Sequence, residues 1–197
     1  VRGIRSFLDT YTDPVNLFLF GDETVIAPQL KELQIPEDKY KLVHAPQIID
    51  MHEHPTKALK EKQQSSIALG FHSLAGGRID AFISAGNTGA MLVGALYSLK
   101  PLEGVIRPAI STIVPKENGK TGVLLDVGLN ADCKPEQLNQ FAVLGSLYAR
   151  YILKIENPQV GLINVGEEEG KGNLLALATY PLLKENPAIS FAGNIEG

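Results

Sequence analysis

Cysteine and long apolar runs are scarce in this chain, and each scarcity excludes a class of protein. Cys133 is the single cysteine, so an internal disulfide framework is excluded and a reducing compartment is favoured. No apolar run approaches the length needed to span a membrane, and the start VRGIRSFLDTYTD is too polar for a signal peptide. We therefore expect a cytoplasmic protein.

The chain also lacks an excess of positive charge. The chain has 18 Lys and Arg residues against 22 Asp and Glu residues, which gives a formal net charge of −4. This balance provides no basic field for nucleic acid, and it argues against simple electrostatic attachment to anionic lipids. We expect no nucleic-acid partner, and membrane contact would need another cause.

The rest of the composition is that of a globular protein. The chain has 197 residues, of which 44% are hydrophobic, with 19 Gly and 12 Pro, and this is enough for one substantial core. No linker, low-complexity run or repeat of solenoid length divides it. We predict a single domain over residues 1–197.

Apolar runs alternate with amphipathic segments along the chain. The predicted strands are VNLFLFGDE, YKLVHA, RIDAFI, AISTIVP, GVLLDVG, VGLINVG and ISFAGN. The predicted helices, after a helical start in VRGIRSFLDTY, are ETVIAPQLKELQI, PTKALKEKQQSSIALGFHSLAGG, TGAMLVGALYSL, KPEQLNQFAVLGSLYARYIL and GNLLALATYPLLKE. This alternation predicts an α/β fold with a doubly wound, mostly parallel sheet.

Three of the predicted strands end in turns of one style, ISAGNTG, LLDVGLNADCKPE and LINVGEEEGKGN. Each strand runs into Gly and Asn, with Asp, Glu or Lys within a few residues. Because the carboxyl ends of parallel strands share one edge of a sheet, we expect the three loops to converge on one crevice. Any one loop alone is better explained as an ordinary turn, whereas the three together favour a site.

The ISAGNTG turn has the features of an anion site. Ser84, Asn87 and Thr88 offer neutral donors, and the amides of Gly86 to Gly89 lie at the start of a predicted helix, where an anion such as phosphate is favoured. Asn87 or Thr88 could equally cap that helix, and capping is compatible with anion binding. The turn matches neither the Walker pattern nor the GxGxxG fingerprint, so a nucleotide is a weak alternative.

The second loop begins with Asp126, and Asn130 and Asp132 follow it. The Asp126 carboxylate could orient a base, bind a hydroxyl group or hold a metal ion, but one carboxylate without nearby histidines is poor support for a metal. Structural pairing explains Asp126 equally well. Cys133 is expected to be incidental, because no histidine lies close in sequence to activate it.

In the third loop, Lys171 lies between two glycines after three glutamates. A cation there would neutralise an anionic substrate or a developing oxyanion, and the flanking glycines would let a large ligand approach. A lone lysine is more often a solvated surface residue. Only its place beside the other two loops favours a functional role.

Two clusters before the first turn are weaker candidates. The HEH triplet at residues 52–54 lacks the spacing of the zinc-protease motif and is expected in an exposed turn. Lys57, Lys60 and Lys62 could form a positive helix start for a phosphate or an acidic partner, although a solvated helix face is the simpler interpretation.

Five stretches, in this order and spacing, resemble the acyl-carrier-protein:phosphate acyltransferases, the PlsX family: DAFISAGNTGAMLVGAL, RPAISTIVP, LLDVGLNADCKPEQLNQFAVLGSLYA, VGLINVGEEEGKGN and FAGNIEG. The resemblance runs from about LFLFGDE to the last residue. It implies a Rossmann-like fold related to isocitrate dehydrogenase and phosphotransacetylase. It also implies transfer of a long acyl chain from the thioester of acyl carrier protein to inorganic phosphate, in phospholipid synthesis, with no metal and no other cofactor.

The same resemblance implies roles for residues of the three loops. Lys171 matches the lysine of the family's KGN motif and is expected to stabilise the oxyanion or bind phosphate, and Asn87 and Asp126 are the other catalytic candidates. The expected substrate-binding residues are Ser84, Gly86, Thr88, Gly89, Asn130, Asn164, Gly166 and Asn173. The expected partners are acyl carrier protein, inorganic phosphate, the acyl chain and a second copy in a homodimer, with peripheral membrane contact through regions outside this sequence.

The chain also departs from the family pattern. Family members normally begin with a strand that ends in an MGGDHAP loop, and they continue beyond GNIEG into a further glycine-rich loop and a long helical region. We therefore expect an interior fragment that is inactive or poorly folded on its own. Two other functions stay open: a nucleotide-dependent dehydrogenase or kinase on a similar fold, and a non-catalytic module that binds carrier protein or an acyl phosphate.

Overall fold

The computed structural model describes residues 1–196, so Gly197 of the predicted domain lies outside the described residues. The backbone divides into two compact units, Val1–Lys100 and Pro101–Gly197. Each unit contains buried apolar residues of its own, such as Phe71 in the first and Phe141 in the second. The expectation of one domain over residues 1–197 stays a prediction.

The first unit contains five α-helices and one two-stranded parallel sheet. The helices are α1 (Arg2–Thr10), α2 (Glu23–Glu32), α3 (Pro55–Glu61), α4 (Ser66–Ala75) and α5 (Thr88–Ser98), with a 3₁₀ turn at Glu37–Lys39. Strands β1 (Leu17–Gly21) and β2 (Tyr40–His44) pair from Leu17 opposite Tyr40 to Gly21 opposite His44. The order β1, α2, β2 is the parallel strand–helix–strand unit predicted from the sequence.

Side-chain caps set where helices of this unit begin. At the start of α2 the Asp22 carboxylate accepts from the Thr24 backbone N–H at 2.9 Å, and hydrogen bonds from Thr24 hold the pKa of Asp22 below its ordinary value. At the start of α4 the Ser65 hydroxyl accepts from the Ala68 N–H at 3.3 Å. The predicted single helix over residues 55–77 is therefore two helices, because a Ser cap restarts the helix after a break.

The core of the first unit lies where α3, α4 and α5 meet. Its buried residues are Ile49, Ala58, Ile67, Phe71 and Ala90. The ring of Phe82 packs edge-on against Phe71, with 5.3 Å between centroids, and against Phe20 of β1, with 5.9 Å. These aromatic contacts join the helices to the sheet.

The predicted strand RIDAFI is not a strand in the structure. Residues 79–85 lie outside the helices and strands, and no strand among residues 1–196 pairs with them. Ile83 is 92% exposed. A single segment gains no ladder hydrogen bonds without a neighbouring strand, so the apolar pattern alone does not make it one.

The described part of the second unit contains two helices and two two-stranded sheets. These are β3 (Ser111–Pro115), β4 (Thr121–Leu125), α6 (Pro135–Tyr151), β5 (Gln159–Asn164), α7 (Leu174–Lys184) and β6 (Ser190–Glu196). Strands β5 and β6 are parallel and are connected through α7. Among residues 1–196, no helix of either unit is both long enough and apolar enough to cross a membrane.

Strands β3 and β4 form an antiparallel hairpin rather than a parallel pair. The chain between them turns through Gly119, whose φ is +75°, and the Lys116 N–H donates to the Lys120 carbonyl at 2.8 Å. A connection this short cannot make the crossover that parallel strands need. The loop that begins at Asp126 therefore follows an antiparallel strand, and the shared-edge argument does not apply to it within this sheet.

Helix α7 is anchored on both of its sides within the second unit. Thr179 and Leu183 are buried, and the Tyr180 ring packs edge-on against Phe191 of β6 with 5.2 Å between centroids. Past the end of α7, the Asn186 side-chain amide donates to a side-chain oxygen of α6 at 2.8 Å. These contacts fix the helix whose first residues follow the third loop.

The buried residue of α2, Leu30, gives a direct test of the first unit's packing. Leu30 is fully buried, whereas Val25 on the same helix is 54% exposed. We expect Leu30→Ala to lower the free energy of unfolding by about 2–5 kcal/mol, because it leaves a cavity. Val25→Ala should change it by no more than about 0.5 kcal/mol. Urea denaturation measures both, and equal losses would contradict the packing described.

Candidate functional site

The first turn is held by the side chain of Asn87. Its Oδ1 atom accepts from the Ala90 N–H at 2.9 Å and caps α5, while its Nδ2 atom donates to the carbonyl of Asp50 at 2.8 Å and to that of Glu53 at 3.3 Å. Asn87 is 5% exposed. One buried amide therefore ties the start of α5 to the 50–53 turn, which holds part of the HEH triplet.

The backbone of Asn87 also has an unusual conformation. Its φ of 42° lies in the left-handed region, which asparagine tolerates better than most residues. The backbone N–H of Asn87 faces the sulfur of Met51 at 3.0 Å. Both the side chain and the backbone of Asn87 are thus used to shape the turn.

The amides that follow Asn87 remain available for a ligand. Among residues 1–196, neither Thr88 N–H nor Gly89 N–H donates to another residue. Thr88 is exposed, and the Ser84 hydroxyl accepts from the Gly86 N–H at 3.3 Å. Free amides at a helix start are the donors that an anion requires.

The Asp126 carboxylate organises the second loop. One oxygen accepts from the Ile110 N–H at 2.9 Å and the Leu129 N–H at 3.4 Å, and the other accepts from the backbone and side chain of Asn130 at 2.7 and 2.9 Å. Burial raises the pKa of Asp126, but these donors together outweigh it and hold the pKa below its ordinary value of 3.8. The carboxylate is charged and its bonds are internal.

Asn130 extends this network to a neighbouring segment. Its Nδ2 atom also donates to the Pro108 carbonyl at 3.0 Å, and its Oδ1 atom accepts from Arg107 at 3.3 Å. Nearby, burial and the charge of Asp126 raise the pKa of the Cys133 thiol. A raised pKa disfavours the reactive thiolate, which agrees with the expectation that Cys133 is incidental.

The third loop is closed by Asn164 at the end of β5. Its Nδ2 atom donates to the Lys171 carbonyl at 2.9 Å, and its Oδ1 atom accepts from the Val165 N–H at 2.9 Å. Gly172 has a φ of +103°, and a Cβ atom there would collide with the Asn164 side chain. The asparagine thus fits closely only because residue 172 is glycine.

Lys171 presents its charge from this closed loop. The side chain is exposed, and no carboxylate among the described residues forms a salt bridge with it. The aliphatic stem runs past Gly166, where a Cβ atom would lie 3.2 Å from the Lys171 Cγ. Glu169 instead pairs with Lys184 at 3.1 Å, and that hydrogen bond raises the pKa of Lys184.

Helix α7 begins at the far side of the same loop. The Asn173 Oδ1 atom accepts from the Ala176 N–H at 2.9 Å, which caps the helix. Asn173 and the first helical residue, Leu174, are both exposed, and Leu174 is 86% exposed. An apolar side chain and a helix start therefore flank the free lysine.

One positioning residue was missed by the sequence reasoning. Asn194 of β6 is 7% exposed, and its Nδ2 atom donates to the Glu168 carbonyl at 2.8 Å. Its Oδ1 atom is buried and has no hydrogen-bond partner among the described residues. The signal was present, because FAGN repeats the Gly-Asn style of the other strand ends.

The structure brings the predicted residues together in three local groups, around Asn87, Asp126 and Lys171. Asp126 binds Asn130 directly, and Asn164 binds the Lys171 backbone. Within the described part of the second unit, no hydrogen bond connects the Asp126 loop with the Lys171 loop. The convergence of all three loops on one crevice stays a prediction.

Two solved structures share this fold. A phosphotransacetylase from Streptococcus pyogenes aligns with a TM-score of 0.68 at 17% identity, over 98% of this chain and 63% of that one. A branched-chain phosphotransacylase from Enterococcus faecalis V583 aligns with a TM-score of 0.65 at 16% identity, over 99% and 63%. The predicted α/β fold of the phosphotransacetylase type is confirmed.

The sequence comparisons define the family within that fold. A family model described as "Fatty acid synthesis protein" matches residues 2–197, and the chain belongs to this family. A relative named phosphate acyltransferase from Halothermothrix orenii is 44% identical over all of this chain, and one from Dictyoglomus turgidum is 45% identical over 93% of it. The resemblance stated from the loop motifs is confirmed.

The chain is shorter than these relatives. It spans 59% of the Halothermothrix protein and 54% of the Dictyoglomus protein. The described loops are therefore only part of what such a protein contains.

The bonds of Asn87 predict a larger cost than an ordinary cap. Asn87→Ala should lower the free energy of unfolding by about 2–4 kcal/mol, because it removes the cap of α5 and leaves two carbonyls without their donor. Asn173→Ala removes an exposed cap with one bond and should cost about 1 kcal/mol. Chemical denaturation compares the two variants, and equal costs would show that the Nδ2 bonds contribute nothing.

The Asp126 network predicts a pH dependence of stability. Because the folded-state pKa is lowered, the carboxylate stabilises the fold above its ordinary pKa of 3.8 and loses this effect as the pH falls through the folded-state value. Asp126→Asn should therefore be less stable than the parent at neutral pH, and the gap should close in acid. Denaturation at several pH values measures this, and a gap that is constant with pH would be inconsistent with a charged Asp126.

Proposed function

We propose that the full-length protein carrying this chain transfers an acyl group from the thioester of acyl carrier protein to inorganic phosphate. The products are an acyl phosphate and the free carrier thiol, in fatty acid and phospholipid synthesis. The observation that carries this proposal is the family match over residues 2–197, with relatives named phosphate acyltransferase at 43–46% identity.

The proposed reaction is a displacement at the thioester carbonyl. A phosphate oxygen attacks the carbonyl carbon, and the carbonyl oxygen becomes an oxyanion in a tetrahedral intermediate. The carbon–sulfur bond then breaks, and the sulfur leaves as a thiolate that takes up a proton. The protein must hold the phosphate in place and stabilise the oxyanion.

We assign phosphate binding to the turn before α5. The free N–H groups of Thr88 and Gly89 point out of a helix start, where the dipole favours an anion. The Ser84 hydroxyl and the Gly86 backbone are close in sequence and complete the polar lining of the turn. Asn87 is a positioning residue: its side-chain atoms bind the protein's own backbone and hold the turn in place.

Lys171 is our candidate for the cation that stabilises the oxyanion or binds phosphate. Its ammonium group has no salt bridge among the described residues, and Asn164 and Gly166 shape the loop that carries it. Asn173 lies at the adjoining helix start. These features support a residue that is available to a substrate.

Asp126 and Asn130 form the third group of proposed site residues. The Asp126 carboxylate receives four hydrogen bonds from the protein. We propose that it acts by holding the loop's backbone and the Asn130 side chain in place, as positioning residues commonly do.

The proposed partners follow from the reaction. Acyl carrier protein supplies the thioester, and we propose a homodimer as the working assembly. A cytoplasmic location, with peripheral contact to a membrane that accepts the lipid product, is part of the same proposal. The single cysteine fits a reducing compartment.

Removal of Lys171 tests the function. In the full-length protein, Lys171→Ala should lower kcat/KM for acyl phosphate formation by about 10²–10³-fold, the effect expected for losing one group that stabilises an oxyanion. The assay uses hexadecanoyl carrier protein and labelled phosphate, with separation of the acyl phosphate. If kcat falls by the same factor as kcat/KM, Lys171 stabilises the oxyanion. If kcat is unchanged and the KM for phosphate rises, Lys171 binds phosphate in the ground state.

Lys120→Ala is the matched control for this experiment. Lys120 is an exposed lysine on the β3–β4 hairpin of the same unit, and its removal should leave the rate unchanged. If the parent forms no acyl phosphate, the proposed function is wrong. Full activity in Lys171→Ala would remove Lys171 from the mechanism.

A further inference from the structure

A groove of about 590 Å³ lies between α3, α4 and α5 of the first unit. This volume is within the range of about 300–1,000 Å³ that is typical of small-molecule sites. Its apolar lining consists of Leu59, Ala68, Phe71, Ala75, Val93 and Gly94. The groove is thus an open depression on the helical face of the unit, with an apolar floor and polar side chains along its lining.

The groove has a firm floor and small walls. Phe71 is 5% exposed and belongs to the buried core of the unit. A Cβ atom on Gly94 would collide with the Phe71 ring, so the helices approach closely at this point. Ala68 and Ala75 are small side chains on α4, and the groove lies open above them.

The polar part of the lining contains a lysine and no acidic side chain. Lys60 and His72 are exposed on its lining, and no Asp or Glu is among the residues that line it. Lys60 forms no salt bridge within the described residues. The groove therefore presents no negative charge that would repel an acyl chain ending in a phosphate group.

The groove also adjoins the turn before α5. Pro55, the first residue of α3, packs on Gly89, since a Cβ atom on Gly89 would lie 2.5 Å from the Pro55 ring. The next residue, Thr56, lines the groove, and the α5 residues Val93 and Tyr97 line it farther along the helix. A ligand that starts at the turn can therefore continue beside α5, which is about 16 Å long.

We propose that this groove binds the acyl chain of the substrate, with the reacting carbonyl or phosphate end at the Ser84–Gly89 turn. This inference rests on the proposed function and adds to it the place where the chain is recognised. A long apolar chain that lies in the groove buries its methylene groups against the apolar side chains of the lining. Each methylene that is buried improves affinity about fourfold. The groove thereby gives the enzyme a preference for long chains.

Filling the groove tests the proposal. Ala75 is exposed at the groove, and Ala178 is an exposed alanine on α7 of the second unit. We would compare Ala75→Phe with the matched variant Ala178→Phe in the full-length protein, after checking both for unchanged Tm. A second variant, Val93→Phe, places a bulky side chain in the groove from α5. It shows whether an effect of Ala75→Phe comes from filling the groove or from a local change at residue 75.

The first readout is the ratio of kcat/KM for hexadecanoyl over butanoyl carrier protein. The filled groove should lower this ratio by at least about tenfold, which corresponds to losing contact with about two methylene groups. Ala178→Phe should leave it unchanged. An unchanged ratio in both filled variants, with activity retained, would overturn the proposal.

The second readout does not depend on turnover. A photoreactive long-chain fatty acid should label the full-length protein within residues 56–63 or 93–98, and Ala75→Phe should abolish that labelling while Ala178→Phe preserves it. If the parent makes no acyl phosphate but is labelled in this way, the proposed function fails and the groove remains a fatty-chain site. If it makes acyl phosphate and the label falls elsewhere, the groove proposal fails alone.

Discussion

The buried side-chain amide of Asn87 is the interaction on which the first unit's functional features depend. It caps α5 through Ala90 and binds two carbonyls of the 50–53 turn, and α3 begins shortly after that turn. This arrangement places Pro55 against Gly89 and leaves the Thr88 and Gly89 amides free. A single polar side chain thus sets both the proposed anion site and the end of the groove that adjoins it.

The second unit uses the same device in different loops. Asn164 closes the loop around Lys171, Asn194 donates to the Glu168 carbonyl, and Asn130 donates to the Asp126 carboxylate. An asparagine both donates and accepts, so it can satisfy a backbone that leaves regular structure. The remaining exposed groups, above all the Lys171 ammonium, are then free to meet a ligand.

Much of the fold could be predicted from the sequence because its signals are local. Apolar runs located β1, β2, β5 and β6, and helical patterns after the first and third loops located α5 and α7. The β3–β4 hairpin and the break between α3 and α4 differ from prediction. In both places a short turn or a Ser cap outweighs the longer pattern.

The features that could not be predicted depend on contacts between distant segments. RIDAFI has the pattern of a strand, but strand formation needs a partner that the pattern does not specify. The bonds of Asn87 join residues that are more than thirty positions apart, and the groove depends on how three helices pack. The loop motifs nevertheless identified the family correctly, because their order and spacing are specific even where their geometry is not.

The most direct test of the account is the response of individual amides to phosphate. In the full-length protein, the N–H resonances of Thr88 and Gly89 should shift on titration with inorganic phosphate, while amides on the β3–β4 hairpin stay unchanged. Saturable shifts of the Thr88 and Gly89 resonances would support the assignment. If phosphate binds and the Thr88 and Gly89 resonances do not move, the anion site is elsewhere and the central claim is wrong.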